Sequence, residues 1–105
     1  MLISDEKILD KIRHTVKETA PDAKVILYGS RARGDARPDS DWDILVIIDK
    51  EKKDPSDFDR IAYPLYDLGI ETDALISVFL YTKTEWEKRS CTLFYKNVES
   101  EGIVL

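Results

Sequence analysis

The run Ile44 to Ile48 decides most of what this chain can fold into. It follows Asp41-Trp42-Asp43 and stops at Asp49. A half-buried strand alternates apolar and polar side chains, because neighbours point to opposite faces. This run is apolar on both faces, so it reads as a central strand covered on both sides. It is far too short to span a bilayer. The 105-residue chain must therefore supply helices for both faces of a sheet.

The flanking sequence offers them. Residues 4–19 read as a helix, with Ser4 as cap and Asp5 and Glu6 in the first turn. Ile8, Ile12 and Val16 form its apolar stripe, and Ile3 and Ile8 are spaced for a hydrophobic staple. Lys24 to Tyr28 reads as a buried strand closed by Gly29. Residues 31–40 lack apolar periodicity: Arg31 to Gly34 fit one short helical turn, and the rest reads as loop. Asp41 to Asp49 is the second strand, and Lys50 to Asp54 an exposed, charged connection.

Asp54 caps a further helix with Pro55 at its first position. Phe58, Ile61, Leu65 and Leu68 supply its inner face, Gly69 its stop, and Pro64 predicts a kink. Thr72 to Tyr81 reads as the third strand. Thr84 and Glu87 have capping-box spacing for a short helix carrying Trp86. Thr92 to Glu101 reads as a last helix stopped by Gly102, followed by a short apolar tail. The order predicts one α/β (α+β) domain over residues 1–105, a small mixed β-sheet with helices packed on it.

Composition narrows function. The formal net charge is −5, so a general nucleic-acid binder is not expected, because phosphate binding relies on Lys and Arg. Cys91 is the only cysteine, which excludes an intrachain disulfide and fits a reduced compartment. No signal peptide or membrane segment is visible, and a cytoplasmic protein is the expectation. The chain has no room for a second lobe, so a large substrate must be positioned by a partner.

Three features carry chemistry. Gly29-Ser30 sits directly after a strand and before a helical turn, where free backbone N–H groups and a hydroxyl meet phosphate well. Alone it also reads as an ordinary strand-ending turn. Asp41 and Asp43 share one face of the second strand, with Trp42 on the other. Two like charges at a half-buried strand end call for a divalent cation, and oxygen-only ligands favour magnesium or manganese. The pair also reads as a solvated loop end. Asp73, before the apolar ALISVFL, can join Asp41 and Asp43 if the third strand lies beside the second; Glu71 is the alternative. Asp73 equally reads as a turn residue. Arg31, Arg33 and Arg37 lie in the connecting segment, half of the chain's six arginines, and suit phosphate oxygens or the nearby Asp35 and Asp39.

Taken together, Gly29-Ser30, ten residues, then Asp41-Trp42-Asp43 resemble the GS-x10-D-x-D signature of the polymerase-β-like nucleotidyltransferases. The string from Tyr28 to Val46 is similar to their minimal nucleotidyltransferase branch, MNT. The resemblance implies that fold, with Asp41, Asp43 and Asp73 as catalytic carboxylates binding two Mg2+ ions (or Mn2+). It implies Gly29, Ser30, Arg31 and Arg33 as nucleotide-binding residues and ATP as substrate. It also implies a partner: MNT proteins resemble antitoxins that transfer AMP to a tyrosine of a HEPN-domain RNase toxin. A non-catalytic binding antitoxin and a transferase acting on a small-molecule hydroxyl are the alternatives. A homo- or hetero-oligomer is compatible with each.

The remaining features read as structural. His14 lies on a polar helix face, Cys91 reads as a small packing residue, and Trp86, Tyr63, Tyr66 and Tyr95 as core aromatics.

Overall fold

The computed structural model describes residues 4–105. Its order is α1 (Asp5–Thr19), β1 (Lys24–Tyr28), α2 (Ser30–Arg33), β2 (Trp42–Ile48), α3 (Asp57–Thr72), β3 (Ile76–Thr82), α4 (Lys83–Lys88), α5 (Leu93–Glu101) and β4 (Ile103–Val104). The sheet runs β3-β2-β1-β4. β1 is antiparallel to both β2 and β4, whereas β2 and β3 are parallel and joined through α3. The sheet is therefore mixed, as its length and element order predict.

β2 is central and buried on both faces. Trp42, Ile44, Val46 and Ile48 pack with Val25 and Leu27 of β1, Ile76, Val78 and Leu80 of β3, and the stripes of α1 and α3. Leu45 and Ile47 pack on the opposite face with Ile26, Trp86 and Val98. Burial of such branched side chains contributes about 1.5–3 kcal/mol each. Ile12, Val16, Ile61 and Leu65 are wholly buried, as the stripes predict. The Ser4 hydroxyl accepts the Lys7 N–H as the α1 cap. The proposed Ile3 staple falls outside the described residues.

Several boundaries differ from the sequence reading, each for a local reason. α3 starts at Asp57 rather than after Asp54, and it runs past Gly69 to Thr72. Gly69 is not the stop. A Cβ there would lie 2.6 Å from the Ala74 carbonyl oxygen, so its role is to let the returning chain pass close. Asp73 ends the helix instead, in the left-handed region at φ 57°, which Asp tolerates better than most residues. β3 consequently begins at Ile76, not Thr72. The capping box lies two residues earlier than expected: Thr82 accepts from the Glu85 N–H, and Glu85 accepts from the Thr82 N–H. The apolar tail is ordered as β4 against β1. Cys91 is exposed rather than packed, and Phe58 of α3 is exposed as well. His14 is on the surface beside Glu18.

The charged connection after β2 is not merely solvated. Asp57 is 2% exposed, yet it is charged. The Lys50 ammonium lies 2.7 Å away, the Arg60 guanidinium 2.8 Å, and the Asp54 N–H donates to it as well. The Lys53 ammonium donates to the Leu80 carbonyl at 2.9 Å. Lys50 first, then Arg60, hold the Asp57 carboxyl well below the usual carboxylate range. A buried charge left without partners is costly.

Asp57→Asn gives up the charge-assisted hydrogen bonds from Lys50 and Arg60 and should cost about 1.5–3 kcal/mol of stability near neutral pH, measured by urea unfolding. Its sign with pH follows from the depressed folded value. The contribution is fully present above about pH 4, the unfolded carboxylate value, and is lost as pH falls towards the folded one. The gap between wild type and variant should shrink on acidification below about pH 4; a constant gap would refute the charge pairing.

Candidate active site

The site grows out of the end of β1 and the start of β2. Tyr28, the last residue of β1, stands opposite Asp43 in the antiparallel ladder. The chain must then turn at once into α2, and Gly29 makes that turn with φ 76° and ψ −157°. This region is essentially restricted to glycine. A second constraint coincides with it: a Cβ on Gly29 would lie 2.2 Å from Asp43 Oδ2. Gly29 thus lets the carboxylate of Asp43 rest directly against the backbone. Ser30 and Arg31 open α2, where N–H groups lack intrahelical acceptors.

Asp43 lies on the same face as Leu45 and Ile47, and Trp42 points the opposite way into the main core, as the alternation requires. Asp41 is exposed and precedes the strand. On the other side of β2, Ser77 of β3 stands opposite Asp43. Its hydroxyl donates to Asp41 Oδ2 at 3.3 Å. Burial raises the Asp43 carboxyl above its ordinary value; the charge of Asp41 adds to that, and Arg33 works against it. Burial, with Asp43 second, also pushes the Tyr28 phenol up. Concentrated negative charge with few internal partners favours an incoming cation.

The arginines divide. Arg31 is engaged within the chain. Its Nε and Nη2 donate to the Ser40 carbonyl at 3.1 and 2.9 Å, and Nη2 to the Pro38 carbonyl at 3.3 Å. Its guanidinium also stacks 4.0 Å from the Trp42 ring centre. With Asp5 3.6 Å away and its side chain only 10% exposed, Arg31 clamps the 34–40 loop. Arg33 is exposed, bonded to Asp35 and to Glu101, both at 3.2 Å, and close enough to Asp43 to act on its charge.

Asp73, the expected third carboxylate, lies apart from the Asp41/Asp43 pair. Asp73 is the cap of α3, and its left-handed backbone breaks the alternation that would carry it to the Asp43 face. It lines a cavity of about 950 Å³ together with Arg31, Pro38, Trp42 and Leu75. That cavity lies on the Trp42 side and includes neither Asp41 nor Asp43. Glu71 is within α3, not on the sheet. Among the described residues no three carboxylate, thiol or imidazole groups converge. Ser77 is the residue that sequence reasoning missed. The parity of a strand starting at Ile76 would have found it, but that start depends on where α3 ends.

The donor set fits a magnesium-type ion. Asp41 and Asp43 offer hard oxygens, and this ion typically takes one or two carboxylates and completes its shell with water and substrate phosphates. Among the described residues, no helix is long and apolar enough to cross a membrane.

Comparison with known proteins places the chain. The family described as "Nucleotidyltransferase domain" matches residues 9–105. Two proteins of Methanocaldococcus jannaschii, each named "Putative protein adenylyltransferase", are similar to it. One is 34% identical over 82 residues, covering 78% of this chain and 76% of the relative. The other is 35% identical over 80 residues, covering 76% and 75%. Among solved structures, a toxin-antitoxin crystallised with AMP-PNP superposes with a TM-score of 0.61 at 20% identity, over 90% of this chain and 69% of that one. A nucleotidyltransferase structure from Sulfolobus solfataricus gives 0.58 at 21% identity, over 93% and 76%. These two confirm the fold. The family match takes in all four strands and every residue of the site, and the chain belongs to the nucleotidyltransferase-domain family, a nucleotidyltransferase enzyme.

Proposed function

We propose that this enzyme transfers AMP from ATP to a hydroxyl of a protein partner. The partner is the toxin of a toxin–antitoxin pair, and this chain is the antitoxin. The reading extends to a tyrosine acceptor on a HEPN-domain RNase, as the resemblance of the Tyr28–Val46 string implies. The observation that carries the chemistry is the contact of Gly29 with Asp43, beside Asp41. The names of the two Methanocaldococcus relatives support the protein acceptor, and the toxin-antitoxin neighbours support the partner class.

Asp41 and Asp43 would hold Mg2+, or Mn2+ in its place. When bound, the ions lower the pKa of the acceptor hydroxyl and steady the departing pyrophosphate. The chain's own groups do the placing. The Gly29-Ser30 turn receives the phosphates with backbone N–H groups and the Ser30 hydroxyl. Arg33 is exposed, and its guanidinium would exchange the Asp35 and Glu101 carboxylates for phosphate oxygens. The acceptor hydroxyl gives up its proton to water, and its oxygen bonds to the α-phosphorus as the bond from that phosphorus to the pyrophosphate oxygen breaks. The acceptor hydroxyl belongs to the partner.

Intact-mass spectrometry of the HEPN partner after incubation with this chain, ATP and magnesium should show a gain of AMP. Asp41→Asn and Asp43→Asn should each abolish it, because loss of a metal ligand removes the charge stabilisation that transfer requires. Their melting temperatures should not fall, since each removes like-charge repulsion from the metal-free site. Full activity in either variant would refute the assignment. If the double variant still neutralises the toxin in a growth assay, antitoxin action is by masking and not by transfer.

Gly29→Ala tests the contact itself. It should cost about 1–3 kcal/mol of stability from backbone strain. It should also cost most of the transfer activity, because Asp43 must move to admit the new Cβ. Wild-type turnover in a destabilised Gly29→Ala protein would uncouple the glycine from the site.

A further inference from the structure

β3 can send few side chains towards the Asp41/Asp43 pair. On the face it shares with Asp43 it presents Ser77, Phe79 and Tyr81, paired with Asp43, Leu45 and Ile47. Phe79 and Tyr81 lie roughly 7 and 13 Å further along the strand and carry no carboxylate. Ser77 alone is level with Asp43. Among the described residues, its hydroxyl is also the one side-chain group that bonds Asp41. Asp41 needs such a bond, because it precedes the ladder and is exposed. A free carboxylate loses rotamer freedom when a ligand fixes it.

We propose that Ser77 is the positioning residue of a two-carboxylate nucleotide-metal site. Resting on the adenylyltransferase reading, the proposal defines how that site takes its ligand. The serine hydroxyl fixes Asp41 without adding a third negative charge beside a pair that already repels. A site with two carboxylates lacks ligands to hold a divalent ion tightly alone, so the nucleotide's phosphates must supply the remainder. Metal and nucleotide then bind as one unit, and the site stays empty of metal until ATP arrives.

Calorimetric titration of the full chain with Mn2+ alone, and with Mn2+ plus AMP-PNP, tests this without reference to turnover. Wild type should bind Mn2+·AMP-PNP and take up Mn2+ alone at least about ten-fold more weakly. Ser77→Ala should weaken binding of the complex about ten-fold, the loss usual for a group that orients a metal ligand. Ser77→Thr and Ser77→Val have the same shape and both suit a strand, but only Thr keeps the hydroxyl. Thr should bind like wild type and Val like Ala. Ser77→Asp should bind Mn2+ in the absence of nucleotide.

Equal binding by the Thr and Val variants would overturn the role of the hydroxyl, even if Ser77→Ala failed to fold. Tight binding of Mn2+ alone by wild type would overturn the two-carboxylate account. Failure of wild type to bind Mn2+·AMP-PNP at all would overturn the adenylyltransferase reading and this proposal with it. Binding that Ser77→Ala leaves intact overturns this proposal only.

Discussion

The burial of β2 on both faces is the constraint on which the rest of the molecule depends. A strand covered by α1 and α3 on one side and by α4 and α5 on the other cannot slip by one residue. Such a slip would exchange Trp42, Ile44 and Val46 for Asp43, Leu45 and Ile47 across the sheet. The hydrophobic core therefore fixes the register, and the register places Tyr28, Asp43 and Ser77 in one row across three strands. Asp43 is where that row leaves the apolar interior. Its raised carboxyl is the electrostatic signature of a strand that changes from core to site within two residues.

Much of this was legible in the sequence, because the signals were local and strong. Ile8, Ile12 and Val16 recur at helical spacing, and the KVILY and DILVII runs have no helical interpretation with their flanking turns. Gly29-Ser30 and Asp41-Trp42-Asp43 were legible as a site because their chemistry is carried by residue type and spacing. The surroundings of Asp73 and Arg31 were not, for different reasons. The chain from Gly69 to Leu75 reads as helix stop and strand start by composition. Only the close approach of Gly69 to Ala74 and the left-handed Asp73 decide that the helix persists. Arg31 reads as a phosphate ligand because an arginine fork matches phosphate oxygens. Its commitment to the Ser40 and Pro38 carbonyls requires the loop to fold back, which no local pattern announces.

Arg31 and Arg33 show how two identical side chains, two residues apart, come to lie in different surroundings. α2 turns by about 200° between them. One guanidinium goes under the loop onto the indole of Trp42, and the other reaches out to Glu101 at the end of α5. Trp42 thereby acts twice. It fills the core below the sheet and gives the loop its floor, while its neighbours on either side, Asp41 and Asp43, face the opposite way.

Lys53 deserves a different reading once the sheet order is known. β3 is an outer strand with an apolar run, and Phe79 on it is half exposed. Such a margin is a template on which a second molecule can extend the sheet. The Leu80 carbonyl, however, already accepts the Lys53 ammonium, delivered from the connection that follows β2. A strand arriving there would meet a cation where it needs a hydrogen-bond acceptor left free. The connection after β2 thus occupies one acceptor on that margin, while Ser77 at the opposite end of β3 stands beside the Asp41/Asp43 pair.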